Sequence, residues 1–177
     1  MANKTIPKKV LDLLQEGTVI PALPLALGQD RKWDKRRQRA LIRYYLEAGA
    51  GGVAVAVHTT QFEIRLPEFN LYEPILKLAK EEFDLFEENT KKPIIRVAGV
   101  IGKTDQAIKE ATIALQNGYH AVLLSVAAFK EGTNAEILEH CEAVAAVIPL
   151  IGFYLQPAVG GRKLDVDFWR EFARIKN

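Results

Sequence analysis

Two adjacent hydroxyl residues, Thr59 and Thr60, and one phenol, Tyr154, are the side chains whose type and placement suit bond-making chemistry. Thr59 and Thr60 offer two hydroxyls and two backbone N–H groups to a carboxylate. The alternative for them is a turn in which threonines bond locally to the backbone. Tyr154 can move a proton as general acid or base, or it can be an amphipathic core tyrosine. His58 stands beside the threonines, and Gln156 follows the tyrosine. His120 falls at the start of a strand and His140 within a helical pattern. The three histidines and the lone Cys141 therefore give no metal-ligand spacing. Cys141 lies on the apolar stripe of its helix and reads as a core residue.

Positioning these groups takes an alternation of short β-rich runs and longer helical patterns. The first run, Thr18-Val-Ile-Pro-Ala-Leu-Pro-Leu, contains two prolines and is expected to end early as a strand. A helical pattern over residues 34–48 stops at Gly49, Gly51 and Gly52. The second run, Val53-Ala-Val-Ala-Val57, is apolar on both faces, as in a buried parallel sheet. His58-Thr59-Thr60 follows it directly. Helical spacing returns over residues 70–89. A third run, residues 94–98, leads into Gly99, and its helix starts near Thr104. The fourth run is residues 121–125. Thr133-Asn-Ala-Glu136 then forms a capping box that opens another helix. The fifth run, residues 150–154, ends on Tyr154, and a last helix begins near Asp165.

Five such units in strict alternation imply one α/β domain over residues 1–177 with a parallel sheet. Two architectures fit that pattern. One is the first five units of a (β/α)8 TIM barrel, which typically takes about 250 residues. The other is a five-stranded flavodoxin-like sheet, which would make the chain a non-catalytic binding or interaction domain. In either, ligands bind at the C-terminal ends of the strands, where His58, Thr59, Thr60, Tyr154 and Gln156 all fall.

Composition narrows the partners. Of the 177 residues, 49% are hydrophobic and 26% charged, which argues for a folded domain rather than a disordered chain. A net charge of +2 supplies no nucleic-acid or membrane footprint. The cluster Arg31, Lys32, Lys35, Arg36, Arg37 and Arg39 reads as the solvated face of a helix start, with a phosphate patch as the alternative. One cysteine permits no intrachain disulfide, and the chain shows no signal-peptide core and no apolar run of membrane-spanning length. A cytoplasmic protein is the expectation.

Three segments, taken in order, resemble one family. Val57-His-Thr-Thr-Gln61 is similar to the Gly-Thr-Thr-Gly-Glu motif of the dihydrodipicolinate synthase / N-acetylneuraminate lyase family. Ile151-Gly-Phe-Tyr-Leu-Gln-Pro-Ala-Val-Gly160 resembles that family's Tyr-Asn-x-Pro segment and its following glycine, and Arg96-Val-Ala-Gly99 looks like its third strand. The resemblance runs from Gly17 to Asn177. It implies a truncated TIM barrel of a class I aldolase or lyase, in which a lysine forms a Schiff base with pyruvate or another 2-oxo acid. On this resemblance Tyr154 is the proton shuttle, Thr59 the relay and Thr60 the carboxylate holder, with His58 and Gln156 touching substrate. It implies small-molecule 2-oxo acid and aldehyde substrates, no cofactor, and a homo-oligomer.

The match has departures. The family's lysine lies on strand six, so it would fall just beyond Asn177. His58 and Gln61 replace the glycines of the threonine motif, and Phe62 stands at its glutamate. Ser125-Val-Ala-Ala128 lacks the synthase's second tyrosine, and Val159 stands where the synthase has an arginine. A substrate other than aspartate semialdehyde is therefore expected.

Overall fold

The computed structural model describes residues 6–154, 157–159 and 161–176. Four strands, β1 (Gly52–Val55), β2 (Ile95–Val100), β3 (Ala121–Leu124) and β4 (Leu150–Ile151), form one parallel sheet in the order β1-β2-β3-β4. Six α-helices accompany them among the described residues: α1 (Lys8–Glu16), α2 (Lys35–Glu47), α3 (Tyr72–Thr90), α4 (Thr104–Gln116), α5 (Asn134–Ala145) and α6 (Val166–Phe172).

The first run forms a single bridge, Ala22 to Ala54, beside β1. Its backbone still tracks that strand. The Leu23 N–H donates to the Ala54 carbonyl at 2.8 Å and the Ala54 N–H to the Pro21 carbonyl at 2.9 Å. Pro21 and Pro24 have no N–H to give, so a longer ladder cannot form. The order is thus the chain order throughout, from the first run to β4. A flavodoxin-like sheet would place its second strand outside its first. The sequential order is that of a barrel wall, and it removes the flavodoxin-like alternative.

The alternating faces of the strands serve two apolar clusters. Val53, Val55, Ala98, Val100, Val122 and Leu124 point outward against the helices, where they join Ile75, Leu76, Phe83, Ala111, Ile137 and Phe168. Ala54, Ile95 and Val97 point the other way and meet Val10 of α1, with Leu13, Leu14, Leu123 and Ile151 around them. Helix α1 is an element that the sequence pattern did not suggest. Its face Val10, Leu13, Leu14 has helical spacing, yet Asp12, Gln15 and Glu16 interrupt the apolar run.

The helices begin where their caps dictate. Asp34 accepts from the Arg37 N–H at 2.9 Å, and Asp165 accepts from the Phe168 N–H at 2.8 Å. Both halves of the Thr133–Glu136 capping box are formed. Helices α2 and α3 are joined by Arg39 and Arg43 on the buried Glu82 carboxylate. Burial alone would raise the pKa of Glu82, but the hydrogen bonds from Arg43 and Arg39 outweigh it and hold the carboxyl below its usual range.

Candidate functional site

Directly after β1 the chain leaves the extended conformation at Ala56, whose φ is +61°, and closes a short 3₁₀ turn, His58–Thr60. Gln61 ends the turn at φ +70°. Both are left-handed values that a side-chain-bearing residue adopts only when surrounding contacts hold it there.

Within this turn the two threonines differ. Thr60 is fully buried; its hydroxyl donates to the Leu23 carbonyl at 2.7 Å, and its N–H donates to the Val57 carbonyl at 2.9 Å. Thr59 is exposed, and its hydroxyl makes no hydrogen bond among the described residues. His58 is exposed and packs edge-on against Phe62, with ring centroids 5.5 Å apart. Tyr154 lies past the end of β4 and is half exposed. Gln156 lies outside the described residues.

Because every strand is parallel, the threonine turn and Tyr154 occupy the same end of the sheet. Two strands stand between β1 and β4, so three strand spacings, roughly 14 Å along the curve, separate them. No hydrogen bond joins Tyr154 to the threonines among the described residues.

Below the turn lies a charged group that the sequence analysis did not single out. Arg65 ends a second 3₁₀ turn, Phe62–Arg65, and its side chain folds back onto the strand ends. Its Nη2 donates to the Ala56 carbonyl at 3.1 Å and to the Gly99 carbonyl at 3.0 Å. Its Nε donates to Glu110 at 3.0 Å, and the two side chains are each only 8% exposed. Glu110 also accepts from the Ile101 N–H at 3.2 Å and from Gln106 at 2.9 Å. Tyr72 lies under the guanidinium, 4.5 Å from ring centroid to Cζ, and its hydroxyl donates to the Gly99 carbonyl at 3.0 Å. Burial pushes the Tyr72 phenol well above its ordinary pKa, with the Glu110 charge adding to it, so Tyr72 stays a donor. The one sequence signal for this group was Gly99. A Cβ there would collide with the Ala56 carbonyl, so the two strand ends approach too closely for any side chain.

The remaining candidates lie elsewhere. His140 is buried on α5, its Nδ1 3.0 Å from the Thr104 hydroxyl and its ring 4.6 Å from Phe129. Lys103 covers the Phe129 ring at 4.1 Å. Cys141 is buried, and burial pushes its thiol up to about 12. In the basic cluster, Arg37 pairs with Asp34 at 3.5 Å, Arg39 pairs with Glu82, and Lys35 sits over Trp33. Among the described residues no group of His, Cys, Asp or Glu is placed to hold a metal ion, and no helix is long and apolar enough to cross a membrane.

The chain is similar to the dihydrodipicolinate synthase from Acinetobacter baumannii complexed with pyruvate, at 22% identity and TM-score 0.76 over 90% of this chain and 53% of that one. It is similar to a prophage protein of the dihydrodipicolinic acid synthase family from E. coli K12, also in complex with pyruvate, at 21% identity and TM-score 0.74 over 88% of this chain and 50% of that one. An N-acetylneuraminate lyase from Mycoplasma synoviae matches at 18% identity and TM-score 0.70, over 90% of this chain and 51% of that one. The chain thus spans about half the length of the solved structures it matches. No curated protein sequence matches it. The model of the Dihydrodipicolinate synthetase family matches residues 15–177, and the chain belongs to that family.

Proposed function

We propose that the protein to which these residues belong is an aldolase or lyase that binds pyruvate or another 2-oxo acid as a Schiff base, on a lysine outside residues 1–177. The observation that carries this reading is the placement of the threonine turn and Tyr154 at one end of a parallel sheet whose relatives hold pyruvate. A protonated Schiff base is an electron sink, so a carbon–carbon bond beside it can form or break. The chain's own residues supply the surroundings of that step. Thr59 offers its hydroxyl as donor and relay. Thr60 would hold the substrate carboxylate only by giving up the bond that its hydroxyl donates to the Leu23 carbonyl in this structure. Tyr154 moves the proton, and His58 and Gln156 line the approach. Val159 in place of an arginine disfavours an aldehyde that carries its own carboxylate, such as aspartate semialdehyde. Assembly as a homo-oligomer in the cytoplasm is part of the same reading. Leu66 and Phe69, 43% and 53% exposed in the loop after β1, offer an apolar contact for it.

Borohydride reduction of the natural full-length protein with pyruvate tests the proposal. A covalent adduct on a lysine is expected. In the Tyr154→Phe variant the adduct should persist while turnover falls by about 100-fold or more. A wild-type protein that gains no mass with pyruvate or any other 2-oxo acid overturns the reading.

A further inference from the structure

The charged group beneath the threonine turn has a specific geometry. Two carbonyl oxygens, of Ala56 and Gly99, converge at the ends of β1 and β2, and a single guanidinium nitrogen donates to both. Two carbonyl oxygens gathered on one donor repel without it, and Gly99 admits the Ala56 carbonyl to a position that a Cβ would fill. Arg65 also closes the loop on itself, since its guanidinium returns to the carbonyl nine residues earlier. His58, Thr59 and Thr60 lie inside that closed loop. Glu110 holds the guanidinium through Nε, which donates to both carboxylate oxygens at 3.0 Å, and Tyr72 supports its face.

We propose that Arg65, seated on Glu110, is the positioning residue of the threonine turn, fixing the orientation in which Thr59 and Thr60 meet a substrate carboxylate. The substrate half of this statement rests on the 2-oxo acid reading above. A planar fork is required. Nε faces Glu110 while Nη2 faces the two carbonyls, and a lysine ammonium on a flexible stem cannot span both in one plane. The left-handed backbone at Ala56 and Gln61 is the strain that this clasp holds in place.

The test uses the natural full-length protein with Arg65→Lys, Glu110→Gln and the milder Tyr72→Phe. Hydrogen exchange at residues 57–61, measured without substrate, should accelerate about tenfold or more in the first two variants, while β3 and α5 stay protected. The KM for pyruvate should rise about tenfold, and kcat should fall with it, since the turn both holds the carboxylate and carries the Thr59 relay. Tyr72→Phe removes one donor to Gly99 and keeps the packing, so it should show a smaller shift in the same direction and serves if the charged variants do not fold. Unchanged exchange at residues 57–61 in the folded variants overturns the proposal. So does uniform acceleration across the sheet, which marks a stabilising role only. If the wild type forms no pyruvate adduct, the Schiff-base reading fails by itself and the exchange measurement still decides the role of Arg65.

Discussion

A single buried histidine illustrates how much a side chain's neighbours decide. His140 is 1% exposed, and burial, with help from the Lys103 charge, lowers its pKa to about 4. Thr104 and Phe129 also touch it, and neither carries a charge to offset protonation. In the unfolded chain the imidazole takes a proton near pH 6.5. Between those values the unfolded state binds more protons than the folded one, so stability rises with pH there. It should fall by at most about 1.4 kcal/mol per pH unit on acidification from pH 6.5 toward 4. His140→Gln should flatten that segment of a pH–denaturation curve; an unaltered slope would mean that the imidazole is already charged when folded. The sequence placed His140 on a helix and Cys141 in the core, because periodicity shows which face a residue shares. It did not show Arg65, whose acidic partner is 45 residues away. No local spacing marks a contact at that separation. The difference between Thr59 and Thr60 was equally hidden, because it depends on the carbonyl of Leu23, 37 residues earlier.

At the scale of elements, legibility followed the strength of local signals. The helix at α5 was readable from Thr133 and Glu136 because the capping box is a contact between residues three apart. In the structure the Thr133 hydroxyl accepts from the Glu136 N–H at 3.2 Å, and the Glu136 carboxylate returns to the Thr133 N–H at 2.7 Å. That bond to the backbone and a second to the Thr133 hydroxyl hold Glu136 below the usual carboxylate range. Thr133→Ala should cost about 1 kcal/mol of stability, read as a lower urea midpoint at an unchanged slope. A loss near zero would mean that water caps the helix equally well. The strands were readable because parallel strands buried on both faces are short apolar runs. Helix α1 was not, since three polar residues break its run and its apolar face is only one side of about two and a half turns. The prolines of the first run announced an early end, and the structure keeps that segment to one bridge.

The whole molecule poses a question of closure. Among the described residues its sheet is a wall with a free side at each end: the single-bridge first run at one, and the two-residue β4 at the other. The outer face is covered by helices, and α1 covers the inner face over Ala54, Ile95 and Val97. Leu123 and Ile151, farther along that inner face, remain only half buried. In a closed barrel such positions fill the interior as layers of side chains. The parallel sheet was legible from the alternation of elements, which left the strand order open between a barrel and a flavodoxin-like sheet; the threonine and tyrosine motifs pointed to the barrel, and the order β1-β2-β3-β4 agrees. The degree of coverage was not, because it depends on how the wall curves. A piece comprising residues 1–177 therefore carries unpaired backbone groups on the β4 side and apolar area inside, both of which favour association. Produced alone, it should show a mass by light scattering that rises with concentration, and its β4 amides should exchange fastest of the four strands. A natural chain that continues the wall past β4 should protect those amides and remove the concentration dependence below its own oligomeric mass. A monodisperse monomer of residues 1–177 that unfolds cooperatively at every concentration would show that α1 alone seals the inner face and that closure of the wall adds nothing to its stability.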